Sequence, residues 1–104
     1  MVIACCADKR KDPEYRDYDI TVALAVENML LEATECGLGA CYVSCYGNHM
    51  SHQQERGLLQ EILQLPDYIR LVCLITIGYP NEKPVKKELI DLKHIIHFEK
   101  WSKK

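Results

Sequence analysis

The stretch from Glu27 to Ser44 constrains this chain most, because it joins a nearly all-apolar helix to a glycine stop and then to a strand. Upstream, Ala23, Val26, Leu30 and Ala33 recur at helical spacing, while Val22, Leu24, Ala25, Met29 and Leu31 carry apolar surface around most of the circumference. Only Glu27, Asn28, Glu32 and Glu35 form a polar stripe. Asp19 is expected to cap the helix by accepting from a free backbone amide, and Gly37 to supply the left-handed residue that helices often need just past their end. A helix this apolar has to be covered on several sides, by a sheet and by a second helix or a second subunit.

The remaining elements follow from shorter patterns. Val2 to Ala7 is a continuous apolar run without alternation, which predicts a strand covered on both faces. Asp8 to Asp19 is charged and holds Pro13, so it reads as a loop, with Lys9, Arg10 and Lys11 as a solvated turn. Ala40 to Tyr46 predicts a second strand and Gly47 to Met50 a loop. Ser51 with Gln54 forms a capping box for a helix that carries Leu58, Leu59, Ile62 and Leu63 on one face and stops by Pro66. Ile69 to Ile77 is apolar enough to be a central strand. In the tail, Leu89, Leu92 and Ile96 suit a helix, whereas Ile90, Leu92, Ile96 and Phe98 suit a strand or an extended arm.

A chain of 104 residues predicts one domain spanning 1–104, and the formal charge of −2 gives no basic field of the kind that holds nucleic acid. No run approaches the roughly 18 apolar residues that would cross a bilayer, so the expectation is a soluble protein. Six cysteines would suggest disulfides in a secreted chain. Here Cys5, Cys6, Cys41, Cys45 and Cys73 lie in apolar, strand-like runs, with Cys36 at a helix end. Free cysteine behaves as a small buried hydrophobe, so reduced core thiols in the cytoplasm are expected. Cys36, Cys41 and Cys45 and the pairs His49/His52 and His94/His97 match no paired-knuckle pattern, and no metal is expected.

The order strand, helix, strand, helix, strand and tail resembles the C-terminal half of the FMN-dependent nitroreductase family. The residues that carry the resemblance are the Asp19 helix with Asn28-Met29-Leu30-Leu31-Glu32-Ala33, the Gly37-Leu38-Gly39 turn, Leu63-Gln64-Leu65-Pro66, Ile77-Gly78-Tyr79-Pro80 and the closing Glu99-Lys100-Trp101. The resemblance implies an α+β fold, a truncated nitroreductase-like mixed sheet flanked by helices with a C-terminal arm, which dimerises through its long helices and holds FMN at the subunit interface.

In such proteins the strand after the Gly-Leu-Gly turn passes along the flavin ring and directs a backbone amide toward N5; here that segment is Tyr42, Val43, Ser44 and Cys45. Cys45 stands where the family usually has glycine. Lys86, with Lys87 adjacent, matches the basic pair that neutralises the FMN phosphate, and Glu88 stands where some relatives have a second basic residue. Relatives also open with an Arg-Arg-Ser-like phosphate grip that has no counterpart before Val2. That absence fits a shortened reading frame, a fragment of a longer protein, or a small protein that pairs with another copy or another chain, and the sequence does not choose among the three.

The implied function is that of an FMN-dependent NAD(P)H oxidoreductase acting on a nitroaromatic, quinone or similar acceptor, with the cofactor rather than a side chain carrying the chemistry. The alternative is a catalytically inactive flavin-binding or interaction module that uses the apolar helix as a partner interface. A third reading, a metal or redox-thiol protein using Cys36, Cys41 and Cys45, ranks below both.

Overall fold

The computed structural model describes residues 1–11, 13–14, 17–45 and 57–101. In chain order these residues form β1 (Val2–Asp8), α1 (Tyr18–Glu35), β2 (Gly39–Ser44), β3 (Ile69–Gly78) and a 3-10 turn at Leu92–His94. Residues 57–62 are also helical. The expected α+β class and element order are thus observed, and β3 is the central strand of a sheet ordered β1-β3-β2. A mixed sheet was expected, yet both described pairings are antiparallel. Any parallel neighbour would have to be a strand beyond the described ones. The capping box at Ser51 and the end of the predicted second strand at Tyr46 lie outside the described residues.

Helix α1 ends as its sequence requires. Gly37 has φ +71°, the Leu38 amide donates to the Ala33 carbonyl at 2.8 Å, and the Gly37 amide donates to Thr34 at 3.0 Å. This is the Schellman arrangement, in which a residue free of Cβ strain turns the chain left-handed and satisfies two late carbonyls. The segment 57–62 closes the same way without glycine. Leu65 donates to Gln60 at 2.9 Å and Gln64, at φ +50°, donates to Glu61 at 3.0 Å. The helix therefore stops before Pro66 is reached, and three of its four expected core residues, Leu58, Ile62 and Leu63, are exposed.

The start of α1 corrects the sequence reading. The capping position is Asp17, which makes no side-chain cap hydrogen bond, and Asp19 is inside the first turn. The Asp19 carboxylate instead takes both arms of Arg70, with Nε–Oδ1 at 2.7 Å and Nη2–Oδ2 at 2.5 Å. A carboxylate two residues into a helix still favours the positive end of the helix dipole while it binds a guanidinium.

A bulge brings Arg70 to that side of the sheet. Cys5 pairs with Cys73 but Cys6 pairs with Leu71, which leaves Val72 as an extra residue in β3. Strict alternation from Cys73, whose side chain packs on α1, would send Arg70 to the opposite face; one inserted residue reverses that. Asp19→Ala is expected to destabilise the fold by about 1–2 kcal/mol, because it leaves a half-buried guanidinium without its carboxylate. Urea denaturation of the variant beside Arg70→Ala checks it.

The core is one-sided. Val26 of α1 packs on Cys73 and Ile75 of β3, with Ile3, Cys5, Val22, Met29, Leu30 and Ile77 around them. The opposite side of α1 is bare: Ile20, Leu24 and Leu31, which fall within about 40° of one another at ~100° per residue, are 60%, 67% and 60% exposed. Beyond β3 the chain from Tyr79 to Trp101 runs without regular structure except the 3-10 turn, which the Asp91 carboxylate caps by accepting from the Lys93 amide at 3.0 Å. Along it Tyr79, Val85, Leu89 and Phe98 stand in the open, so of the readings left open for the tail, the extended arm is the one observed. The radius of gyration is 17.6 Å, well above the roughly 13 Å of a closed domain of about 100 residues.

The solvated turn after β1 is more ordered than its charge suggests. Arg10 clamps the Asp8 carboxylate through Nε at 3.0 Å and Nη2 at 2.7 Å, and its guanidinium lies 3.6 Å from the centre of the Tyr68 ring. These Arg10 hydrogen bonds hold the Asp8 carboxyl down to about 2 from its ordinary 3.8. A depressed carboxylate contributes stability that is complete above the unfolded value and is lost as pH falls through the folded one. The contribution of Asp8 is thus expected to disappear between pH 3.8 and about 2. An NMR titration of its carboxyl carbon checks the midpoint.

Candidate functional site

The two turns singled out in the sequence meet in space. Gly39 pairs with Gly78 in register, and a Cβ on Gly39 would stand 3.3 Å from the Pro80 Cβ. The Gly-Leu-Gly turn therefore needs its second glycine for close packing against the Gly-Tyr-Pro turn, as its first is needed for backbone conformation. This contact fixes where β2 begins, and so which residues it carries to its far end.

At that far end, β2 is the edge of the described sheet. It pairs with β3 along one side, and its outward backbone groups face no other described strand. Tyr42 and Val43 are 40% and 41% exposed, and Ser44 is exposed as well. Beside them opens a cleft of about 470 Å³ lined by Asp17, Asp19, Ile20, Ala23, Tyr42, Ser44 and Val72. Asp19, Ile20 and Ala23 of α1 with the bulge residue Val72 thus set one wall and Tyr42 and Ser44 of β2 the other. Partial burial first, and then the neighbouring Cys73 thiol, raise the Tyr42 pKa, so its phenol remains a neutral donor and acceptor at physiological pH.

Cys45 is buried, and its thiol acts electrostatically on Cys6, Cys73 and Tyr42. The side chain that stands where the family usually has glycine is packed into the protein rather than standing in the open. Lys86 and Lys87 lie on the exposed arm and line a separate, polar hollow with Glu88 and Leu89. The Tyr42 cleft does not include them, so the structure brings Tyr42 and Ser44 together at one cleft and leaves the lysines apart from it.

The cysteines divide differently from expectation. Cys45 and Cys73 are buried and Cys5 and Cys6 half-buried, but Cys41 is exposed along with Cys36. Cys41 faces out because its register partner is Thr76, on the side of β3 that α1 does not cover. Among the described residues no group of three or more ligating side chains is arranged to hold a metal, and no helix is long and apolar enough to cross a membrane.

Among the described residues the chain is an α+β layer with an uncovered helix face, an edge strand beside a cleft and an extended apolar arm. The model of the Nitroreductase family matches residues 2–79, and the chain belongs to that family. It is 31% identical over 101 residues to a Methanothermobacter thermautotrophicus protein with the provisional name NADH dehydrogenase/NAD(P)H nitroreductase; the match takes in 97% of this chain and 49% of that protein. It is 30% identical over 78 residues to the FMN reductase (NADPH) of Bacillus subtilis, covering 75% of this chain and 29% of that one. Among solved structures, the FMN-dependent nitroreductase of Clostridium difficile R20291 superposes with a TM-score of 0.74 at 27% identity, over 96% of this chain and 57% of the other. The chain thus spans about half or less of the length of these relatives.

Proposed function

We propose that this chain is the flavin-facing half of an FMN-dependent NAD(P)H oxidoreductase, and that the segment Tyr42 to Cys45 lies against the flavin ring. The observation that carries the reading is the exposure of Tyr42, Val43 and Ser44 on a sheet edge beside a cleft, in a chain of the Nitroreductase family. An edge strand held by the β3 ladder presents its backbone in a fixed orientation, which costs little to reorganise around a ligand. The inward packing of Cys45 supports the fit, because a side chain at that position then leaves the ring face free.

FMN, when bound, supplies the redox chemistry, accepting reducing equivalents from NAD(P)H and passing them to a nitroaromatic, quinone or similar acceptor. Residues of this chain bind and orient it. Tyr42, Val43, Ser44 and Cys45 would support the ring, and Lys86 and Lys87 would neutralise the phosphate once the arm is folded onto a second subunit. The bare face of Ile20, Leu24 and Leu31 and the apolar arm favour a homodimer, or a pairing with a chain that supplies the missing half, in the cytoplasm.

The inactive flavin-binding or interaction module remains the second reading. What favours it is the placement of Lys86 and Lys87 in a hollow apart from the Tyr42 cleft. Native mass spectrometry of the purified protein separates the two. A dimer or heteromer that carries one FMN per site is expected, and a flavin-free assembly in the presence of added FMN would favour the module.

A further inference from the structure

The deepest part of the core holds a feature that the flavin reading does not use. Cys5 and Cys73 are direct partners across β1 and β3, and both side chains pack in the same cluster beneath Val26. Directly opposed residues of an antiparallel pair have Cα atoms about 4.5 or 5.5 Å apart, and a disulfide needs about 4.4–6.8 Å. Two cysteines facing the same side at that separation meet the main steric requirement for a bond. Cys6 adjoins on β1, and Cys45 stands just past Ser44, which is the β2 partner of Cys73. A row of thiols thus crosses the sheet.

We propose that Cys5 and Cys73 form a reversible cross-strand disulfide that locks the edge strand β1 to the centre of the sheet when the protein meets a small-molecule disulfide or comparable two-electron oxidant. The exposures give an order of events. Cys5 is half-buried and Cys73 fully buried, so the oxidant reaches Cys5 first. The Cys5 thiolate attacks one sulfur of the small disulfide, forming a mixed disulfide and releasing one thiolate. Cys73 then gives up its proton and attacks the Cys5 sulfur, which forms the Cys5–Cys73 bond and expels the second thiolate. Two cysteine thiols are oxidised by two electrons, one small disulfide is reduced to two thiols, and the two protons lost by the cysteines end on the released thiolates.

Burial first, and then Cys5, push the Cys73 thiol up to about 11. In a reducing compartment the pair therefore rests as thiols, and closure waits for oxidant. Once formed, the bond is shielded by the same packing that made it slow to form, and it ties together strands separated by most of the chain.

The test uses the full chain with the exposed Cys36 and Cys41 replaced by serine, so that links between molecules do not obscure the result. After exposure to cystamine, intact mass is expected to fall by two hydrogens, and proteolytic mapping to give one cross-linked peptide pair containing Cys5 and Cys73. The thermal midpoint is expected to rise by several degrees and to return on addition of reductant. Cys5→Ser should abolish both changes; should that variant fail to fold, the oxidised and reduced forms of the parent protein carry the comparison alone. An unchanged mass, adducts of cystamine without an internal bond, or a bond joining another pair of cysteines would overturn the proposal.

Discussion

Ile75→Ala is expected to lower the unfolding free energy by about 3 kcal/mol, within the roughly 2–5 kcal/mol seen when a buried isoleucine is cut to alanine. Ile75 is 0% exposed and sits where the central strand meets both Val26 of α1 and its register partners Ile3 and Tyr42. Removing its outer carbons leaves a void that three elements border, and a one-sided core has few other side chains to collapse into it. Such a loss is a large share of the roughly 5–15 kcal/mol that holds a typical domain together, so a reduced soluble yield is expected beside the shifted urea midpoint. Leu24→Ala is the matched control. At 67% exposure on the bare face of α1, it should change folding stability by no more than about 0.5 kcal/mol. It should nevertheless weaken self-association in sedimentation, if that face is the one a second copy covers.

Lys86→Glu combined with Lys87→Glu is expected to weaken FMN binding by about a hundredfold or more, measured by quenching of flavin fluorescence. Each hydrogen bond to a charged group contributes about 1.5–3 kcal/mol, and every 1.4 kcal/mol is roughly a factor of ten in affinity. Reversing both charges also adds repulsion where attraction was. Riboflavin, which has the ring but no phosphate, should bind the variant and the parent alike. Added salt should narrow the difference for FMN, because exposed charges are screened. Equal loss for FMN and riboflavin would mean that the lysines hold the arm in place rather than the phosphate.

Which parts of this molecule could be read from its residues follows the range of the interaction involved. Gly37 was legible because a helix end is a local event: an apolar run, then the one residue that adopts positive φ without strain. The central position of β3 was legible from its unbroken apolar run, and apolar exposure on α1 was legible from an apolar circumference wider than one sheet face covers.

Asp19 was misread for the opposite reason. Its position beside a helix start fits a cap, but its partner is Arg70, 51 residues away, and only a bulge at Val72 brings the two to one side. One signal was present in the sequence: a lone arginine inside an apolar strand requires a carboxylate from somewhere. Cys41 was assigned to the core from its neighbours in sequence, whereas its exposure depends on which face of the sheet α1 covers. The Gln64 turn escaped notice because a non-glycine residue holds the left-handed position. Within the candidate site, β2 was found from its motif, while the opposite wall, Asp17, Ile20, Ala23 and Val72, depends on tertiary packing that no spacing encodes.

The most direct test is to record the visible spectrum of the purified protein with FMN, before and after NADH or NADPH is added without oxygen. A retained flavin band that bleaches on addition of the nicotinamide and returns when a quinone or nitroaromatic is supplied is the expected result. A protein that stays colourless after incubation with FMN and gel filtration would contradict the assignment of Tyr42 to Cys45 as a flavin-facing strand.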